Sequence, residues 1–261
     1  MNQVSAIVIS TGEVMPGAHL IWLEAPQIAS EALPGQFVMV RCGGDTLLRR
    51  PLSIHRENGE EMAILFSVVG KGTNWLSSRQ EGDTVDLLGP LGKGFSIHPE
   101  ANKLLLVAGG IGIAPLRFLA DEAVKQGKDV ILAMGASSKA QLLPIKGLTS
   151  RATPTSGITI IKATDDGSEG FKGPATDLIA DRLDWADQIF ACGPMAMYKT
   201  MAQMPALKNK PVQISLEIMM ACGRGLCYGC SIKTKQGMKK VCADGPVFEL
   251  DDILWEEPGY F

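Results

Sequence analysis

Four of the six cysteines crowd into the last quarter of the chain: Cys222, Cys227, Cys230 and Cys242, separated by four, two and eleven residues. The first two intervals are those of a plant-type [2Fe-2S] site, with the last interval shortened. Gly223, Gly225 and Gly229 lie between the thiols, and small residues there let backbone N–H groups approach the sulfurs. Four thiolates also suit a tetrahedral zinc ion. Zinc sites favour two short-spaced pairs, whereas three ligands here share one loop, so spacing gives iron and sulfide more weight and leaves zinc open. Cys42 and Cys192 stand apart, and the simplest role for Cys192 is that of a small buried residue.

A second chemistry is written in glycines. Lys103–Val107 is an apolar run that flows into Ala108-Gly109-Gly110-Ile111-Gly112-Ile113-Ala114-Pro115 before an amphipathic stretch. Strand, glycine turn and helix make a phosphate-binding layout, in which the helix N-terminus directs N–H groups at an anion. The pattern is not the full G-x-G-x-x-G fingerprint, so a plain tight turn remains an equal reading. Gln188–Cys192, followed by Gly193-Pro194, repeats the arrangement. Parallel strands would bring both turns to one crevice.

A third group lies earlier. Arg49-Arg50-Pro51-Leu52-Ser53 is followed by Leu65-Phe66-Ser67 and by Gly70-Lys71-Gly72-Thr73. An arginine fork beside a hydroxyl, with a Gly-Thr turn opening a short helix, suits a diphosphate. A solvated charge pair and an ordinary capped turn would read the same way.

These groups need elements to hold them. Residues 1–99 are short β-type runs between glycine, proline and charged turns, which predicts a small antiparallel barrel. Residues 100–212 alternate apolar strands with helical stretches, which predicts a parallel sheet with crossover helices. Residues 213–261 form a cysteine- and glycine-rich appendage too short for a core of its own, so it must lean on a metal site or on its neighbours. The expected architecture is therefore multi-domain, β followed by α/β.

Composition limits the function classes. At 261 residues, 46% hydrophobic and 20% charged, the chain can bury ample core. A net charge of -3 gives no field for nucleic acid. No apolar stretch approaches the ~20 residues of a membrane span, and the first ten residues read as a strand rather than a secretory signal. The cytoplasm is the expected compartment.

Taken in order, these motifs resemble those of the ferredoxin-reductase superfamily and, within it, the electron-transfer subunits of class B dihydroorotate dehydrogenases. The likeness rests on Arg50–Ser53, Gly72-Thr73, Leu88–Phe95, Gly109–Pro115, Thr164–Gly167, Cys192–Pro194 and the four cysteines ending in Val241–Phe248. It implies that Arg50, Pro51, Leu52, Ser53, Leu65, Phe66, Ser67, Gly72 and Thr73 hold FAD. It implies NAD at Gly109, Gly110, Gly112, Ala114, Pro115, Asp165, Cys192, Gly193 and Pro194. Cys222, Cys227, Cys230 and Cys242 would ligate the cluster. The superfamily prefers an aromatic where Leu52 stands, and related subunits often have arginine where Ser67 stands. A cluster loop that begins with cysteine leans toward the dihydroorotate subunits.

The resemblance further implies a catalytic partner carrying FMN, in a heterotetramer of two of each chain. Electrons would pass from that FMN through the cluster and FAD to NAD+. No side chain of this chain is assigned acid–base work. Met219, Met220 and Tyr228, beside the thiols, are expected to face the partner or to fill core. Ser137-Ser138-Lys139, after the second parallel strand, offers no acid for a ribose hydroxyl and a lysine that suits a 2′-phosphate, so NAD over NADP is not fixed by this stretch. Two other readings stand beside this one: a related NAD(P)H–ferredoxin or sulfide-linked reductase subunit, and a redox-sensing flavin or cluster protein without turnover.

Overall fold

Residues Thr84–Leu91 show the strand period plainly, since every second side chain is buried. The computed structural model, which describes residues 1–44, 46–144 and 157–255, closes six such strands into a barrel. They are β1 (Asn2–Met15), β2 (Ala18–Glu24), β3 (Phe37–Val40), β4 (Arg50–Asn58), β5 (Glu61–Ser67) and β6 (Thr84–Leu91). The order around the barrel is β1-β2-β5-β4-β3-β6, all antiparallel. A short helix, α1 (Pro26–Ala29), covers one end, and α2 (Lys71–Ser77) follows β5.

The second unit is built on strands buried on both faces, which read as continuous apolar runs. In β7 (Lys103–Gly109) five consecutive residues are buried. Each fully buried Leu or Val there contributes roughly 1.5–3 kcal/mol. β8 (Asp129–Ala136), β9 (Ile158–Thr164), β10 (Phe171–Lys172), β11 (Gln188–Cys192) and β12 (Val212–Ser215) complete the parallel part. The helices α3 (Ile113–Lys125), α4 (Asp177–Ala180) and α5 (Met195–Gln203) lie between them in sequence.

The sheet runs β10-β9-β8-β7-β11-β12 and then adds an antiparallel edge strand, β15 (Val247–Glu249). The chain leaves β7 toward β8 on one side, while β11 lies on its other side. The carboxyl ends of β7 and β11 therefore flank a topological switch point, where open α/β sheets bind ligands.

Besides the edge strand β15, the described part of the cysteine-rich stretch adds a hairpin, β13 (Ser231–Thr234) with β14 (Gly237–Lys240), and one helical turn, α6 (Val241–Asp244). Its described residues form no separate interior. Cys230, Ile232, Val241 and Cys242 share one apolar cluster with Phe37, Met39 and Leu91 of the barrel and with Ile189 and Ile214 of the sheet. The expected boundary at residue 212 thus falls at the start of β12. The tail at 256–261 lies outside the described residues.

The barrel meets the sheet through buried polar groups. His55 Nδ1 lies 2.8 Å from the Ala114 carbonyl, and Asp121 is shared by Arg56 at 2.9 Å and Arg117 at 2.7 Å. The connecting segment is stapled to the sheet: Gln188 donates to the Ser96 carbonyl and accepts from His98 N–H, while Gln213 accepts from Ser96 N–H, each at 2.9 Å.

Candidate functional site

A cavity of about 540 Å³ opens between barrel and sheet. Arg50, Pro51, Leu52 and Ser53 of β4 line it, with Leu65, Phe66 and Ser67 of β5, and Thr73 of α2. Eight of the nine residues expected around FAD are thereby gathered from three elements. Gly72 is the ninth and lies behind the wall, where an added Cβ would meet Arg50 Nε at 2.9 Å. Its missing side chain gives the arginine its place. Thr73 Oγ1 accepts from Val69 N–H at 2.9 Å and Gly70 N–H at 3.2 Å, so it caps α2 as well as facing the cavity.

The strand period separates the two arginines. Arg50 lines the cavity, whereas Arg49 pairs with Asp86 at 2.7 Å. The Arg50 guanidinium, which donates to the Leu48 carbonyl at 2.6 Å, presents positive charge at the cavity, and that of Arg49 ties the start of β4 to Asp86 of β6.

A second cavity, about 610 Å³, lies at the switch point. Gly109, Gly110, Asp165, Gly193 and Pro194 line it. The two glycine turns touch: a Cβ on Gly109 would lie 2.8 Å from Pro194 Cδ and 3.0 Å from Met197 Sδ. Four residues of the nucleotide set stand elsewhere. Gly112 packs against the Cys192 carbonyl, which a Cβ would strike. Pro115 and Cys192 are buried. Ala114 lines the first cavity instead.

Ile111 and Glu217 line both cavities. Neither was singled out by sequence reasoning, since Glu217 is one acid in an apolar run. Glu217 has accessible surface because it faces the open cavities, yet protein crowds it, and this burial pushes its carboxyl above the usual range. The Cys192 thiol donates to Glu217 Oε1 at 3.8 Å. Tyr198 ties the surroundings together, accepting from Gly193 N–H at 2.9 Å and donating to the Ser215 carbonyl at 2.6 Å.

From Ser215 to Met220 the chain runs along the first cavity, and Cys222 follows two residues later. All six cysteines are free thiols. Cys222 accepts N–H groups from Arg224 and Leu226 at 3.4 Å, Cys242 from Gly225 at 3.1 Å, and Cys230 from Cys242 at 3.5 Å. Gly223 and Gly225 adopt positive φ of 66° and 74°, which bends the loop so that its amides face the sulfurs.

Burial pushes the Cys222 thiol up, but the N–H groups of Arg224, Cys227 and Leu226 outweigh it and bring its pKa down to about 6. Burial and the neighbouring Cys230 push Cys242 up to about 12.

The donor set distinguishes two metal chemistries. A zinc ion needs its four ligands around one point, whereas a two-iron cluster takes its ligands as two pairs. Cys222 lies beside Cys227, and Cys230 beside Cys242. Two pairs cradled by amides fit a two-iron cluster. The first cavity, apolar with an arginine at its rim, fits a flavin dinucleotide, and the glycine-walled second cavity fits a nicotinamide dinucleotide.

Cys227 is exposed, as are Met219, Leu226 and Tyr228, at 90%, 69% and 65%. Met220 is buried at 9% and fills core. The two methionines thus differ, one exposed beside the cluster loop and the other part of the core.

A barrel for a flavin, a switch-point crevice for a nicotinamide and paired thiols for a cluster define an iron–sulfur flavoprotein of the ferredoxin-reductase type. The comparisons agree. Residues 217–254 match the iron–sulfur cluster binding domain of dihydroorotate dehydrogenase B, and residues 106–203 match an oxidoreductase NAD-binding domain. The chain is 40% identical to the dihydroorotate dehydrogenase B (NAD(+)) electron transfer subunit of Desulforamulus reducens, covering 96% of this chain and 98% of that one. The corresponding subunit of Listeria monocytogenes is 37% identical, with 97% and 99% covered. This chain belongs to the family of dihydroorotate dehydrogenase B electron transfer subunits.

Among solved structures, an NADH-dependent reduced ferredoxin-NADP oxidoreductase superposes with a TM-score of 0.85 at 29% identity, covering 97% of this chain and 91% of that one. A ferredoxin NADP+ reductase from Neisseria gonorrhoeae with bound FAD and NADP shares the fold, with a TM-score of 0.63 at 17% identity and 78% and 90% covered. Among the described residues no helix is long and apolar enough to cross a membrane.

Proposed function

We propose that this chain is the electron-transfer subunit of an NAD-linked dihydroorotate dehydrogenase, joining the FMN of a separate catalytic subunit to NAD+ in a cytoplasmic assembly of two of each chain. What supports the reading is the continuity of the path: Ile111 and Glu217 separate the two cavities, and the segment that borders the first cavity leads straight into Cys222. When bound, the cluster passes single electrons, the nicotinamide exchanges a hydride, and the flavin converts between the two.

The chain's own residues position and exclude. Arg50 supplies positive charge at the first cavity, and the abutting turns at Gly109 and Gly193 present backbone at the second. The amides of residues 224–226 hold negative charge on the thiolates. Exposed Met219, Leu226 and Tyr228 give the cluster loop an apolar face for the catalytic subunit. In this reading residues 1–99 hold FAD, 100–212 hold NAD and 213–261 hold the cluster.

The test is purification of the chain alone, with quantitation of iron, sulfide and flavin and an assay of NADH–dye reduction. About two irons, one FAD and turnover with NADH are expected; a colourless protein overturns the reading. The likeness to the NADH-dependent reduced ferredoxin-NADP oxidoreductase favours a second reading, an electron-transfer subunit of that kind with a different partner. Co-purification with an FMN-containing dihydroorotate dehydrogenase separates the two.

A further inference from the structure

The second parallel strand, β8, ends at Ala136 and is followed by Ser137-Ser138-Lys139. In nucleotide-binding sheets the adenosine ribose lies beyond the end of this strand, where an acid serves the hydroxyls of NAD and a cation serves the 2′-phosphate of NADP. The local sequence offers a cation and no acid. The fold supplies acids from the neighbouring strand. Beyond β9, Asp165 N–H donates to the Ala136 carbonyl at 3.1 Å and Asp166 N–H to the Ser137 carbonyl at 3.2 Å, which lays the two loops side by side. Asp165 and Ser137 both line the switch-point cavity.

Lys139 is engaged from the same loop. Its N–H donates to Ser168 Oγ at 2.8 Å, and its ammonium lies 3.3 Å from Glu169 Oε2. The other carboxylate oxygen, Glu169 Oε1, lies 3.0 Å from Lys162 Nζ. Glu169 is therefore held from two sides. Asp166, whose Oδ1 accepts from the Ser168 hydroxyl at 2.6 Å, adds a further carboxylate nearby.

We propose that Glu169 is a specificity-determining residue: by occupying Lys139 it denies the 2′-phosphate of NADP its cation and biases the cavity toward NAD. The inference rests on reading the switch-point cavity as the dinucleotide site. A phosphate dianion drawn to Lys139 would have to lie beside a carboxylate that Lys162 keeps in place, with Asp166 adding repulsion. A ribose hydroxyl meets no such cost. Glu169→Gln keeps the shape of the side chain and removes its charge, so Lys139 becomes free to pair with a phosphate.

The experiment is steady-state dye reduction by the full chain with its FAD and cluster, using NADH and NADPH at one fixed ionic strength. Wild type, Glu169→Gln and the Glu169→Gln/Lys139→Ala double variant are compared. The single variant should raise the NADPH-to-NADH ratio of kcat/KM by roughly three- to fivefold, as one exposed charge pair would, and through KM for NADPH. The double variant should lose that gain. An unchanged ratio in the single variant, or a gain that persists in the double variant, overturns this inference alone. If wild type oxidises neither nucleotide, the dinucleotide reading falls and this inference with it.

Discussion

The cluster loop and the paired cavities solve the same problem, holding a redox group, by opposite means. The loop draws three of its four thiols from nine consecutive residues. It leaves Cys227 exposed and depends on glycines at positive φ and on backbone amides. The cavities draw their walls from segments more than 200 residues apart, from Phe37 to Pro246, and take their shape from a packed interior. A loop organised around a ligand keeps its form through that ligand, whereas a cavity organised by packing keeps its form without one. The two regions should therefore fail differently.

The largest effect is expected at the loop. Cys227→Ser removes an exposed thiol that packs against little, so the fold should survive while iron content falls from about two per chain to near zero. NADH–dye reduction through the cavities should persist, as iron analysis beside the dye assay would show. Loss of flavin together with iron would mean that the loop and the first cavity are one cooperative unit.

The matching change in the cavities is Gly112→Ala. Its Cβ would strike the Cys192 carbonyl, a backbone atom that cannot swing aside. The turn after β7 must then move away from β11, at a cost of at least about 2 kcal/mol. A thermal midpoint lower by roughly 4–8 °C is expected for a chain of this size, with iron content unchanged before melting. An unaltered midpoint would show the switch point to be softer than its contacts imply.

Glu217→Ala tests the shared wall between the cavities. Removing the side chain opens one cavity into the other and takes away the acceptor of the Cys192 thiol. Turnover with NADH should fall about ten- to hundredfold through lost positioning, while flavin and iron are retained. Turnover equal to wild type would remove Glu217 from the path.

What the sequence disclosed follows the same division. The cysteine cluster was legible because it is local in sequence, and its spacing weighted iron and sulfide over zinc without excluding zinc. The barrel and sheet were legible through their strand periods, and the two glycine turns through their place after buried strands. Arg49 and Arg50 could not be told apart by composition; only the closed barrel, with β3 between β4 and β6, sends one to Asp86 and the other to the cavity. Glu217 and Ile111 became visible only when β11 was set between β7 and β12, a relation that no short window contains. The same is true of Lys139, whose acids arrive from β9 rather than from its own strand. The edge strand β15 has three residues, too few to show a period.

The smallest effect lies at the seam that keeps the cavities in shape. His55 is fully buried, and burial pushes its pKa down to about 3, with the hydrogen bond to Ala114 opposing and the nearby Arg117 and Arg56 reinforcing. The unfolded chain takes up this proton near 6.5. Above that value neither state binds it and stability is full. Between about 6.5 and 3 the unfolded state binds one more proton than the folded state, so stability falls by about 1.4 kcal/mol per pH unit from this group. His55→Gln keeps a donor toward the Ala114 carbonyl and cannot titrate. Its urea midpoint should thus decline less steeply from pH 7 to pH 5 than that of wild type, even if it starts lower. Equal slopes would mean that the seam opens to water before the chain unfolds, and the rigidity ascribed to the cavities would then belong to the barrel and the sheet separately.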